Sequence, residues 1–292
     1  MAKIMVTGAL GNVGSYVAKY AIKNGQEVVV AGMNMEGLYK KYEGNASCVY
    51  FDFTDSDTFQ NALKDVDRVF IMRPPHLGKP EALKPFIDTL KLQGNIKFIC
   101  FLSLIGIENN PIPPHYKIEK FIEKTGIPYC HIRPSFFMQN ISGIHSFEIK
   151  YFDRIVVPVK KALTSFIDAE DIGEITAKVL SEPEKHKNKA YSITGPEAID
   201  YYYVAKILSE ELGRNIVYAN TKPSLTKKYW IDIRGLDKSY STVMGMLYMM
   251  TRMGTAKKVT SVFEEIMAKK PQTFKEFVKK NLVAWQKWQD EN

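Results

Sequence analysis

The sequence predicts an α/β chain: a doubly wound parallel sheet followed by a smaller, mostly helical C-terminal lobe. Three observations carry that expectation. Short apolar strands alternate with helices over the first half of the 292 residues, the pattern of a parallel sheet covered on both faces. The first strand runs straight into Thr7-Gly8-Ala9-Leu10-Gly11-Asn12-Val13-Gly14 and then a helix, a turn of the kind that cradles phosphates in a βαβ unit. The second half turns to longer helices with only brief strands.

Taken in order, Ile4, Met5 and Val6 form the first strand, and Gly8 lets the chain turn and the backbone approach a pyrophosphate. Gly14 lets the helix Tyr16 to Lys23 lie close on that strand. The unpaired N–H groups and positive dipole end of this helix, at Asn12 and Val13, suit an anion. Gly25-Gln26 leads into a second strand, Glu27 to Ala31, which completes the unit.

A third strand is expected from Cys48 to Phe51, followed by Asp52 and Phe53 and a helix from Asp55 to Leu63. The fourth, Arg68 to Met72, stops at Arg73-Pro74-Pro75-His76, too stiff to continue it. A helix from Pro80 to Leu92 leads to a fifth strand, Ile96 to Leu102, which turns out at Ser103. A helix from His115 to Lys124 precedes the sixth strand, Pro128 to Ile132, which ends at Arg133-Pro134. Ligands of doubly wound sheets sit beyond the carboxyl ends of the strands, so Gly8, Asp52, Arg73, Ser103 and Pro134 are expected to rim one crevice. The sequence divides into residues 1–150, a dinucleotide-binding domain to which residues 160–195 return, and residues 151–292, a substrate-binding lobe.

In that second half, strands are expected at Ala190 to Thr194 and Ile216 to Tyr218. Asp168 and Asp171 precede a helix from Ile172 to Ser181 as N-caps, and Thr273 with Glu276 reads as a capping box for the last helix. The methionine-rich stretch Val243 to Met253 fits a core helix, or a surface that adapts to varied apolar molecules.

Composition narrows the function classes. A net charge of +8 is spread over scattered lysine pairs and forms no compact stripe, so no nucleic-acid partner is expected. No run of eighteen apolar residues occurs and the first strand begins at once, so no membrane span is expected and a cytoplasmic location is. Three cysteines and five histidines show no metal-ligand spacing; Cys100 and Cys130 sit in apolar runs as small hydrophobes. No metal is expected, and the partners are a small-molecule substrate and, as a monomer or homodimer, at most a second copy.

Chemistry centres on the end of the fifth strand. Tyr116 and Lys120 are four residues apart on one helix face, where an ammonium favours the phenolate. With Ser103 at the strand end, such a phenol can move a proton at a carbonyl oxygen while a nicotinamide carbon gives or takes hydride. Lys120 also reaches toward a cofactor ribose. The same spacing recurs in Tyr202 and Lys206, so position, not the tetrad, singles out Tyr116.

VTGALGNVG, FLSLIGIENN and HYKIEKFIEKTGIPYCHIRPSFFMQN resemble the NmrA-like branch of the atypical short-chain dehydrogenase/reductase family over nearly the whole chain. Pro271 to Phe277 is similar to the family's closing helix. The resemblance implies a Rossmann domain binding NAD(P) and a quinone-reductase-like substrate lobe. It also admits redox-sensing regulators that bind dinucleotide without turnover, and proteins named nucleoside-diphosphate-sugar epimerases, for which Arg214 and Arg252 offer basic groups.

Carried over by residue, the resemblance gives Gly8, Gly11 and Gly14 the phosphate turn and Asp52 the adenine side. Ser103, Tyr116 and Lys120 take the active-site positions, Pro134 flanks the nicotinamide, and Phe136, Phe137 and Met138 wall the substrate pocket. With Thr7, Asn12, Val13, Met33, Asn34, Phe53, Arg73 and Lys120, these complete the expected cofactor contacts. Relatives that prefer NADP often carry arginine after the second strand, where this chain has Gly32-Met33-Asn34. That tip is also free of acid, which favours NADP, with NAD as the alternative. The expected activity is reduction of a small carbonyl compound such as a quinone or enone.

Overall fold

The computed structural model describes residues 3–287. Its strands are β1 (Lys3–Thr7), β2 (Glu27–Gly32), β3 (Ser47–Tyr50), β4 (Arg68–Met72), β5 (Phe98–Leu102), β6 (Tyr129–Pro134), β7 (Phe136–Phe137), β8 (Arg154–Val156), β9 (Phe166–Ile167), β10 (Lys189–Ile193) and β11 (Val217–Ala219). The helices are α1 (Gly14–Lys23), α2 (Met35–Tyr42), α3 (Phe59–Ala62), α4 (Lys84–Gln93), α5 (Pro114–Glu123), α6 (Gln139–Ser142), α7 (Ser146–Phe152), α8 (Ala169–Ser181), α9 (Pro183–His186), α10 (Tyr201–Leu212), α11 (Pro223–Lys228), α12 (Lys238–Arg252), α13 (Val262–Met267) and α14 (Phe274–Lys280). Two compact units result: the chain up to Pro134 together with Ala169–Ile193, and Ser135–Asp168 together with the chain from Thr194 onward. Residue 150, where the sequence pattern places the division, lies within α7 of the second unit.

The first unit holds a seven-stranded parallel sheet in the order β10-β6-β5-β4-β1-β2-β3. The order reverses between β1 and β4, the switch point at which such sheets bind ligands. On one face, Met5, Val29, Ala31, Ile71, Ile99 and Phe101 pack against Phe59, Phe86, Leu90, Ile118 and Ile122 from α3, α4 and α5. Phe51, Phe53, Phe59 and Phe86 form an aromatic cluster there, with centroids 4.8 to 5.7 Å apart; burying each ring contributes about 1.5–3 kcal/mol. The alternate residues Ile4, Val6, Val28, Val30 and Phe70 point to the other face and are equally buried. There α1 and α8 pack so closely that a Cβ on Gly173 would stand 2.8 Å from the Tyr16 backbone.

The second unit is built around Trp230, Trp285, Tyr201, Phe166, Phe274 and Phe277. Trp285 donates through Nε1 to the Ile141 carbonyl at 3.0 Å, which satisfies the indole inside the core. Its strands form two short parallel pairs, β8 with β11 and β7 with β9. The methionine-rich segment falls on α12, which buries Met244 and Tyr248 and leaves Met246 and Met249 exposed, with Met253 exposed just past its end. The capping box of α14 is present, with Thr273 and Glu276 each binding the other's backbone N–H.

Several expected elements shift for local reasons. The helix expected from Asp55 is a 3-10 turn, Ser56–Thr58, capped by the Asp55 side chain, and α3 follows it. Pro80 likewise opens a 3-10 turn ahead of α4. Helix α8 begins at Ala169, so Asp171 lies inside its first turn and only Asp168 precedes it. Asp168 accepts from Gln139 Nε2 at 2.6 Å. Cys48, Cys100 and Cys130 are all free thiols, and burial pushes the Cys100 and Cys130 thiols far up.

Candidate functional site: the carboxyl ends of the sheet

The turn after β1 is closed by glycine chemistry. Gly8 sits at φ +67°, a conformation side chains rarely adopt, and its carbonyl accepts from Gly11 N at 2.8 Å. A Cβ on Gly14 would stand 2.3 Å from that same carbonyl oxygen, so α1 starts in direct contact with the turn. Tyr42 at the end of α2 donates to the Ala9 carbonyl at 2.6 Å and pins the loop from the other side. Helix α1 has no side-chain N-cap and no acid in its first turn. Its positive end therefore has backbone donors and no competing carboxylate, as a bound pyrophosphate requires.

The other expected cofactor residues fall into distinct roles. Thr7 commits its hydroxyl to the sheet, donating to the Phe70 carbonyl at 3.0 Å and accepting from Met72 N at 3.1 Å. Met33 is 52% exposed, and Asn34 caps α2 through a 2.9 Å bond from Gly37 N. Asp52 accepts from the Thr54 backbone and hydroxyl, both at 2.8 Å. The Phe53 ring belongs to the aromatic cluster.

Strand register sets the middle of the crevice. Met72 and Leu102 are partners on β4 and β5, so Arg73 and Ser103 follow side by side. Ser103 donates its backbone N–H to the Ile132 carbonyl at 2.7 Å, and the Pro134 carbonyl accepts from Ile105 N at 3.1 Å. Arg73 is anchored by donation to the carbonyls of Leu77 at 2.7 Å and Pro74 at 3.2 Å. Its Nε is buried with no partner, as are Ser103 Oγ and His115 Nδ1. Buried polar groups are ordinarily satisfied, so three orphans, just past the ends of β4 and β5 and at the start of α5, form the polar lining that a cofactor or substrate would complete.

His115 is the residue that sequence reasoning missed. Burial, and then the Arg73 charge, hold its pKa down to about 3, so the ring is neutral and can donate or accept at Nδ1. Its signal was present: His115, Ile118 and Ile122 share the helical spacing of a buried face.

Tyr116 and Lys120 stand where the sequence puts them, on α5, with Lys120 Nζ 5.8 Å from the Tyr116 ring centroid. The ammonium is bonded elsewhere, 2.6 Å from Glu123 Oε2, and that bond raises its pKa. Glu123 is held down to about 2, first by His131 and then by Lys120. Glu119, Glu123 and His131 bring ligand atoms within 4.8 Å of one another, but Arg133 already binds both Glu119 oxygens, at 3.0 and 2.7 Å.

In the second unit, Phe136 and Phe137 are half-buried on β7. Met138 is 1% exposed and its thioether belongs to the core, a packing role in place of the expected pocket wall. Arg214 is taken by Asp153 and the Trp285 carbonyl, and Arg252 donates to the Pro158 carbonyl at 3.0 Å. Neither stands ready as a diphosphate clamp.

The model of the NmrA-like family matches residues 1–278 of this chain. The chain belongs to the NmrA-like family. Among its relatives is Prestalk A differentiation protein A of Dictyostelium discoideum, 31% identical over 281 residues, which are 94% of this chain and 91% of that protein. Another is the uncharacterized oxidoreductase YesF of Bacillus subtilis, 28% identical over 286 residues, 97% of this chain and 96% of YesF. Among solved structures, the NADPH complex of the NADPH-dependent quinone oxidoreductase QOR2 of Escherichia coli shares the NmrA-like fold. Its TM-score is 0.86 at 19% identity, covering 96% of this chain and 99% of that one.

Proposed function

We propose that the protein is an NADPH-dependent oxidoreductase that reduces a small conjugated carbonyl compound, a quinone or enone. The observation that carries this reading is the closed glycine turn, in which the Gly8 carbonyl leaves Gly14 no room for a Cβ. It fits a dinucleotide: the first turn of α1 supplies backbone donors for the pyrophosphate, and Met33 and Asn34 form a neutral tip after β2 that does not repel a 2′-phosphate. The names of YesF and of QOR2 as a quinone oxidoreductase bound to NADPH support the same chemistry.

Bound NADPH supplies hydride; the protein supplies orientation and a proton. Ser103 Oγ and His115 Nδ1, both without protein partners, hydrogen-bond the substrate oxygen or the cofactor amide and fix their orientation. Tyr116 delivers the proton to the substrate oxygen as charge builds there. Arg73, anchored by two carbonyls, keeps a fixed positive charge beside the developing anion.

Following NADPH and NADH oxidation with a panel of quinones and enals tests this reading. Turnover with NADPH preferred is expected; cofactor binding without oxidation of any member overturns it. The latter outcome would instead support a dinucleotide sensor, a reading favoured by one observation, the bonding of Lys120 to Glu123.

A further inference from the structure

The second unit contains a cavity of about 470 Å³ lined by Glu148, Phe152, Arg154, Val156, Thr221, Leu225, Thr226 and Tyr229. None of these residues belongs to the sheet-end site. The volume lies within the usual range for small-molecule sites, which are mostly apolar with a few fixed polar groups. Phe152, Val156, Leu225 and Tyr229 supply the apolar walls here.

Two independent features mark the cavity as more than a gap in packing. Glu148 is 1% exposed, and Arg234 pairs with only one of its oxygens; Oε2 is buried with no hydrogen-bond partner. A carboxylate oxygen is a pure acceptor, so it lacks a donor. Burial, then the Glu148 charge and a hydrogen bond to the Glu148 side chain, push the Tyr229 phenol's pKa up to about 12, while Oε2 itself keeps no partner. The wall bearing Tyr229 is a π-helix, Tyr229–Ile233, and Arg234 follows it at once. Such segments are rare and frequent at functional sites; this one carries the lining tyrosine and leads straight into the arginine that holds Glu148.

Charge selects the ligand. Arg234 already neutralises Glu148, Arg154 adds a positive charge at the lining, and no second carboxylate is present there among the described residues. A cationic amine therefore has no advantage, while a neutral hydroxyl donor satisfies Oε2. We propose that this cavity binds a small neutral aromatic alcohol, its ring between Phe152, Leu225 and Tyr229 and its hydroxyl donating to Glu148. The site is separate from the reductase reading and does not depend on it.

The test uses 1-naphthol and 1-methoxynaphthalene, which differ in the donor, titrated into the full chain labelled with 13C at valine, leucine and threonine methyl groups. Saturable shifts at Val156 and Thr226 are expected for 1-naphthol, with affinity at least tenfold above that of the methoxy compound. Leu225→Trp fills the cavity from a position 58% exposed, so the fold is retained, as its melting curve checks, and binding falls at least tenfold. Equal binding of both compounds, no saturable shift, or unchanged binding in Leu225→Trp would each overturn the proposal.

Discussion

Lys120 points its ammonium at Glu123, 2.6 Å away, while standing 5.8 Å from the centre of the Tyr116 ring. The lysine expected to tune the phenol is thus shared with a carboxylate one turn further along the same helix. Glu123→Gln removes that competitor and frees the ammonium to favour the phenolate. The alkaline limb of the kcat/KM profile should then begin at lower pH than in the wild type; an unmoved limb shows that Lys120 does not act on Tyr116.

Tyr116→Phe tests the proton donor itself. General acid catalysis contributes about 10²–10⁴-fold, so kcat with the best quinone should fall by that order. NADPH affinity, read by fluorescence titration, should stay within about twofold because the phosphate turn is untouched.

Gly14→Ala places a methyl group 2.3 Å from the Gly8 carbonyl oxygen, and a backbone group has little freedom to move aside. Overpacking of this kind costs about 1–3 kcal/mol, and the upper end is expected here in urea unfolding. NADPH binding should weaken more than tenfold, since the turn and the start of α1 are displaced together.

Asn34→Asp separates capping from cofactor choice. Aspartate caps a helix as well as asparagine does, so the bond to Gly37 N and the melting temperature should be retained. The new charge at the tip repels a 2′-phosphate and accepts from a ribose diol. The NADPH-to-NADH ratio of kcat/KM should fall at least tenfold, and an unchanged ratio would place the 2′ position elsewhere.

Acid stability should depend on His145. Burial, and then Arg234, hold its pKa down to about 3, and Nε2 lies 2.5 Å from Tyr248 Oη. Below about pH 6.5 the unfolded chain takes up a proton that the folded ring refuses, so stability is full above that pH and is lost progressively toward pH 3. From pH 6.5 to 5.0 the loss is about 2 kcal/mol for one such ring, at about 1.4 kcal/mol per pKa unit. His115 acts with the same sign. Urea midpoints at pH 7.5 and 5.0 should converge in His145→Gln relative to the wild type.

The alternation of strands and helices and the glycine turn were legible in the sequence, because short continuous apolar runs and a Gly-x-x-Gly-x-x-Gly spacing are local signals. Ser103 and Arg73 were legible as strand ends, since the apolar runs of the fourth and fifth strands stop just before them. The partner of Lys120 was less visible. Glu123 lies three residues on, a spacing that permits the bond, but the sequence does not say whether a lysine turns toward a tyrosine before it or a glutamate after it. Met138 was placed in the pocket by the family resemblance alone; only the tertiary fold makes it core. The Glu148 cavity had no local signature, being assembled from α7, β8, α11 and the π-helix.

The first unit is discontinuous in the chain. Its sheet takes β10 as an edge strand and its layer beside α1 takes α8, both encoded after a 34-residue excursion from Ser135 to Asp168 into the other unit. During synthesis the glycine turn emerges early, yet α1 has its packing partner only once residues 169–181 have emerged. A nascent chain halted near residue 150 would therefore expose the apolar stripe of α1, Val17, Ala18 and Ala21, all fully buried in the finished protein. Dinucleotide binding on the ribosome should appear late, after the second half has begun, and a chain truncated after residue 134 should aggregate.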